Sequence, residues 1–103
     1  MSSPPLILLH GFTQTRQSWR RVATALTPRY RVLTPDLPGH GQAAHRTASF
    51  DAVTAYLRAL APSEPFTLAG YSMGGRIALH AAFTLPLERL VLIGAGPGLQ
   101  DPA

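Results

Sequence analysis

Residues 68–79 read LAGYSMGGRIAL, and the five at its centre, Gly70-Tyr71-Ser72-Met73-Gly74, decide how the chain is understood. Glycine and serine are common, so a G-x-S-x-G pattern carries meaning only where a strand runs into it and a helix runs out of it. Both flanks are present. Pro65 opens a short apolar run through Ala69, which predicts a buried strand, and Met73 to Leu85 is rich in Ala, Leu and Ile before it meets Pro86, which predicts a helix. Ser72 is therefore expected at a strand-to-helix junction, on a turn tight enough to strain its backbone. Gly70 and Gly74 fit that turn, because a side chain at either place would meet neighbouring backbone.

Working outward, the same alternation recurs. Residues 6–9 (LILL) read as a strand, and Trp19, Val22, Ala23 and Leu26 follow at helical spacing. Residues 31–34 form a second strand. Phe50, Val53, Leu57 and Leu60 again keep a helical stripe, with Ser49 as its N-cap. The third strand is 66–69, the third helix 73–85 and the fourth strand 90–93. Uninterrupted apolar strands joined by amphipathic helices imply a parallel sheet covered on both faces. Right-handed crossovers then bring the C-terminal end of every strand to one edge, where ligands bind in open α/β sheets. The loops expected there are His10-Gly11-Phe12, residues 35–41 (PDLPGHG), the turn at Ser72, and residues 94–98 (GAGPG).

Composition narrows the function classes. The chain has 103 residues, 46% of them hydrophobic, and shows no repeat or linker, so it is at most one small domain. Without cysteine, disulfides, thiolate metal sites and a cysteine nucleophile are excluded. The formal charge is +4, yet the nine basic residues, all arginine, are scattered rather than striped, which argues against nucleic-acid binding. The opening MSSPPLILLHG lacks a basic leader and a membrane-length apolar run, so no membrane association and a cytoplasmic location are expected.

Several residues carry candidate chemistry. Met73, just after the serine and at a helix N-terminus, offers a backbone N–H to a developing oxyanion, and Phe12 is placed to offer a second, with Gly11 allowing close approach. The alternative is that Leu9-His10-Gly11 is an ordinary strand-ending turn. Asp36 precedes a turn rich in Pro and Gly and reads as a bonder of local backbone, with an acid's role as the alternative. His40, between two glycines, reads as a loop organiser, His45 as solvated, and His80 as too far along the helix to reach Ser72. Arg76 is unusual, because a cation in the first turn of a helix opposes the macrodipole. Either it pairs with a carboxylate of the protein or it clamps an acidic substrate. Residues 94–98 suggest a dinucleotide loop only faintly, since the third glycine of that fingerprint would fall on Leu99.

In order and spacing, Leu9-His10-Gly11-Phe12, Asp36-Leu37-Pro38-Gly39-His40-Gly41 and Gly70 to Arg76 resemble the α/β-hydrolase superfamily. More narrowly, Tyr71, Arg76 after the double glycine, and Pro97-Gly98-Leu99 make the chain similar to the 2-succinyl-6-hydroxy-2,4-cyclohexadiene-1-carboxylate synthases of menaquinone biosynthesis. The resemblance implies a three-layer α/β-hydrolase fold with a mainly parallel sheet. It implies Ser72 as the active-site serine, Phe12 and Met73 as oxyanion-hole amides, and Arg76 as a contact for a substrate carboxylate. Tyr71, His10 and Gly11 are implied beside Arg76 in the substrate site. The implied reaction is proton abstraction next to a carbonyl followed by elimination of pyruvate, on a small anionic substrate and with no cofactor or metal. A serine carboxylesterase of the same fold is the second expectation, and a non-catalytic binding module the third.

One departure from the superfamily pattern is severe. Its order is Ser, then Asp or Glu, then His, whereas after Ser72 this chain holds only Glu88, Asp101 and His80. Residues 1–103 are accordingly expected to be the N-terminal part of a single α/β-hydrolase domain, truncated after the fourth predicted strand, without lid or base, and inactive alone. Residues 90–93 are then expected to leave an apolar edge for a second chain or a missing C-terminal segment.

Overall fold

The computed structural model describes residues 3–11, 14–37 and 49–94. Four strands, β1 (Pro5–Leu9), β2 (Arg31–Leu33), β3 (Phe66–Tyr71) and β4 (Leu87–Ile93), form one sheet in the order β2-β1-β3-β4, and every pairing is parallel. Between them lie α1 (Arg20–Leu26), α2 (Phe50–Leu60) and α3 (Met73–Ala81). The path steps from β1 outward to β2, then back across β1 to β3 and on to β4. Right-handed crossovers in opposite directions put α1 on one face of the sheet and α2 and α3 on the other.

Burial follows this topology. β1, covered on both faces, is buried along its whole length, so an unbroken apolar run is what that position demands. Ile7, Leu9, Phe66 and Leu68 point to the α2–α3 side, where they meet Val53, Leu57, Ile77 and Ala78. Leu6, Leu8 and Ala69 point to the other face, against Trp19, with Ala23 and Leu26 of α1 packed around them. The edge strands β2 and β4 are far more exposed.

The elements differ from the sequence reading in their bounds, each for a local reason. Trp19 belongs to a 3-10 turn, Arg16–Trp19, that precedes α1; Thr15 caps it by accepting from the Gln17 N–H. Val22, expected on the inner stripe of α1, is 42% exposed and borders a hollow instead. The third helix stops at Ala81 rather than 85: the N–H groups of Phe83 and Thr84 turn back only three residues, to the His80 and Ala81 carbonyls, and Pro86 disfavours a helical residue before it. β3 runs two residues further than expected, carried by the pairings Gly70↔Leu92 and Tyr71↔Ile93. β4 starts at Leu87 and takes in Glu88 and Arg89, charges that an edge strand accepts readily. Ser49 caps α2 as expected, accepting from the Ala52 N–H. No helix among the described residues is long and apolar enough to cross a membrane.

Candidate active site

The chain leaves β1 toward one edge of the sheet and leaves β3 toward the other, so the crevice between the C-terminal ends of these two neighbours is the topological switch point. His10 and Gly11 follow β1 there, and Ser72 follows β3. Two glycines bring these ends together. A Cβ on Gly74 would lie 2.7 Å from the carbonyl carbon of Leu9, so only glycine lets the first turn of α3 rest on the end of β1. A Cβ on Gly70 would lie 2.5 Å from the Gly75 nitrogen, so glycine is equally needed where the turn doubles back.

Ser72 stands at φ 54°, ψ −112°, and among the described residues no other residue except glycine has positive φ. That conformation is sterically costly for an L side chain, on the order of 1–3 kcal/mol. Its N–H continues the sheet ladder to the Ile93 carbonyl at 2.9 Å, and its carbonyl accepts from the Arg76 N–H at 3.1 Å, so ladder and helix together hold the turn. The side chain makes no capping hydrogen bond to α3 and is exposed. A helix-capping serine has extended dihedrals and spends its hydroxyl on the backbone; Ser72 does neither, which leaves its Oγ facing solvent at the crevice.

His10 directly follows β1. The ring is fully buried, with Nε2 3.0 Å from the Leu37 N–H and Nδ1 2.8 Å from the Gly11 carbonyl. Both nitrogens are thus engaged by backbone. The Leu37 N–H can only donate, so Nε2 accepts and the proton sits on Nδ1. Asp36, also buried, accepts the Arg16 N–H at 2.7 Å and stands 3.9 Å from the Arg16 guanidinium. It is a structural aspartate, as expected, but the backbone that it holds is twenty residues away rather than local.

Two contributors went unnoticed in the sequence. Tyr56 donates its hydroxyl to the Asp36 carbonyl at 2.8 Å, across twenty positions of sequence. Gln14 clasps Gly11 from both sides: its side-chain oxygen accepts the Gly11 N–H at 2.9 Å, and its own N–H donates to the Gly11 carbonyl at 3.1 Å. Nothing in local spacing announces that clasp.

Tyr71 is 42% exposed, and its ring lies over Gly11, where a Cβ would come within 3.1 Å of it. With Gln14, Ser18, Trp19, Val22 and Ile93 it lines a hollow of about 260 Å³ beside the turn. Met73 is half-buried against the α2–α3 core, and Arg76 is exposed in the first turn of α3. His80 is exposed near the far end of that helix. Phe12, His40, His45, Asp101 and residues 95–99 lie outside the described residues.

Comparison with known proteins agrees with this geometry. Residues 4–103 match the family model described as alpha/beta hydrolase fold. Over 104 residues, 95% of the chain, there is 42% identity to the 2-succinyl-6-hydroxy-2,4-cyclohexadiene-1-carboxylate synthase of Enterobacter sp. strain 638, of which 40% is covered. The solved structure of MenH from S. aureus superposes with a TM-score of 0.85 at 33% identity, over 98% of this chain and 41% of that one. A thermophilic esterase from Thermogutta terrifontis, solved with malate bound, superposes with a TM-score of 0.82 at 26% identity, over 98% of this chain and 40% of that one. The chain thus spans less than half the length of these relatives.

Proposed function

Since the chain belongs to the α/β-hydrolase-fold family, we propose that it carries the serine-bearing part of a 2-succinyl-6-hydroxy-2,4-cyclohexadiene-1-carboxylate synthase. The observation that carries this reading is Ser72: strained, uncapped and exposed at the switch point, on a turn that two glycines allow. The narrower assignment is supported by the 42% identity to a synthase and by Arg76 one helical turn beyond the serine.

In this reading Ser72, paired with a histidine base, removes a proton next to a substrate carbonyl. The electron pair collects on the carbonyl oxygen, where the N–H groups of Met73 and Phe12 receive it, and its return expels pyruvate. Arg76 draws in a carboxylate of a small anionic substrate. The base lies outside the described residues, because both His10 nitrogens are held by backbone and His80 sits eight residues beyond Ser72 on α3. A further segment or a second chain would pair along β4 and complete the sheet.

The test is pyruvate release by the full-length gene product. Ser72→Ala is expected to lower kcat at least a thousandfold (order of magnitude from serine knock-outs in other enzymes), and unchanged turnover would sink the reading. Arg76→Ala is expected to lower kcat/KM about tenfold to a hundredfold, mainly through KM, the scale of a lost charged hydrogen bond. A serine carboxylesterase is the second reading, favoured by the esterase superposition; it predicts fast hydrolysis of neutral esters that Arg76→Ala leaves unchanged.

A further inference from the structure

Among the described residues the sheet ends in two open edges, and they are not alike. β2 is three residues long and opens on Arg31, whose guanidinium is bonded to Glu64 and to the Ser3 carbonyl, so little of it can take another strand. β4 is seven residues long, and its last three, Val91, Leu92 and Ile93, are apolar and between 36% and 43% exposed. The pairing with β3 skips Glu88, since Phe66 faces Leu87 and Thr67 faces Arg89. The regular part of β4 is therefore Arg89 to Ile93, with Val91 at its centre.

One hydrogen bond fixes which way the backbone groups of that run point. The Ile93 carbonyl accepts from the Ser72 N–H, so Ile93 faces β3. The groups alternate along a strand, hence Val91 and Arg89 also face β3, while Leu90 and Leu92 turn their N–H and C=O outward. Side chains alternate as well: Arg89, Val91 and Ile93 line the hollow on the α1 face, and Leu90 packs against the core under α2 and α3.

We propose that in the 103-residue chain this edge is closed by a second copy of itself, the two β4 strands running antiparallel about a two-fold axis at Val91. In that register Leu90 of each copy stands opposite Leu92 of the other, and each such pair exchanges both of its backbone hydrogen bonds. Val91 meets Val91 in the close, non-hydrogen-bonded position between them. Leu92, exposed in the single chain, then lies beside Leu90 and continues the core across the axis. Charge selects the register. Centring on Arg89 would set two guanidinium groups face to face, and centring on Leu90 would leave them diagonal neighbours. At Val91 each Arg89 stands opposite an Ile93, with its stem on apolar surface. Such a pairing closes on itself, because both copies use the same edge.

The chain has no cysteine, so a single introduced thiol forms a disulfide only between copies. Across a non-hydrogen-bonded pair the Cα atoms lie about 4.5 Å apart, inside disulfide range. Like residues one or two positions off the axis are displaced by two residues or more, roughly 7 Å or more along the strand, and fall outside it. Oxidised in parallel, Val91→Cys is expected to cross-link at least about tenfold faster than Leu90→Cys, Leu92→Cys or Ile93→Cys. Sedimentation is expected to show a dimer for the wild-type chain and a monomer for Val91→Lys and for Val91→Glu. An equal mixture of these two restores the dimer, since opposite charges then meet on the axis. A wild-type chain that stays monomeric, open-ended aggregates in place of a dimer, fastest cross-linking at another position, or a mixture that fails to associate overturns the proposal. Should the charged variants not fold, the cross-linking pattern decides alone. The pairing goes beyond the catalytic reading and does not involve Ser72, so its failure leaves that reading standing.

Discussion

Among the described residues two serines head helices, and the backbone under each determines what its hydroxyl can do. Ser49, at φ −70° and ψ 157°, turns its oxygen onto the Ala52 N–H and serves α2; Ser72, at φ 54°, leaves its oxygen uncommitted. Their substitutions should move stability in opposite directions. Ser49→Ala is expected to cost about 1 kcal/mol in urea unfolding, the ordinary worth of a cap. Ser72→Gly is expected to stabilise by about 1 kcal/mol, because glycine relieves the positive φ, while removing the hydroxyl proposed to act in catalysis. A Ser72→Gly protein no more stable than wild type would mean that the turn is unstrained. Gly74→Ala is expected to destabilise by about 1–3 kcal/mol or more, since its methyl group would enter the Leu9 backbone. This turn was legible in the sequence because its chemistry is local: five consecutive residues specify it. The His10–Leu37 and Asp36–Arg16 bonds join residues 27 and 20 positions apart, which no spacing rule reaches.

Among the elements, β1 and β4 contrast most. β1 is closed on both faces and both edges, so Leu9→Ala is expected to cost about 2–5 kcal/mol. Among the described residues β4 pairs only with β3, and Val91, Leu92 and Ile93 are exposed. Leu92→Lys is expected to change stability by less than about 0.5 kcal/mol and to lower self-association of this 103-residue chain, read by sedimentation; unaltered association would show that the β4 edge does not mediate it. The elements themselves were legible from apolar period, and their ends less so. Periodicity cannot register that Pro86 stops α3 early or that β3 continues through Gly70, because those limits depend on the partner strand and on turn hydrogen bonds.

Across the whole molecule, alternation of strand and helix together with the right-handed crossover rule was enough to gather the candidate loops at one edge. What it left open was the strand order, and hence which loops become neighbours. The order β2-β1-β3-β4 answers that by setting Leu9 opposite Gly70, so that the residues after each share one crevice. At the outer end of this order, on β2, Arg31 bonds to Glu64 and to the Ser3 carbonyl. The same order has a consequence for biosynthesis. Of the four strands, β1 leaves the ribosome before the others, while β3, which closes its inner edge, begins about 60 residues later. At translation rates of roughly 5–20 residues per second, β1 waits on the order of 3–12 s with that edge and most of its apolar surface uncovered, an interval in which a chaperone would find Leu6 to Leu9 before the rest of the sheet does.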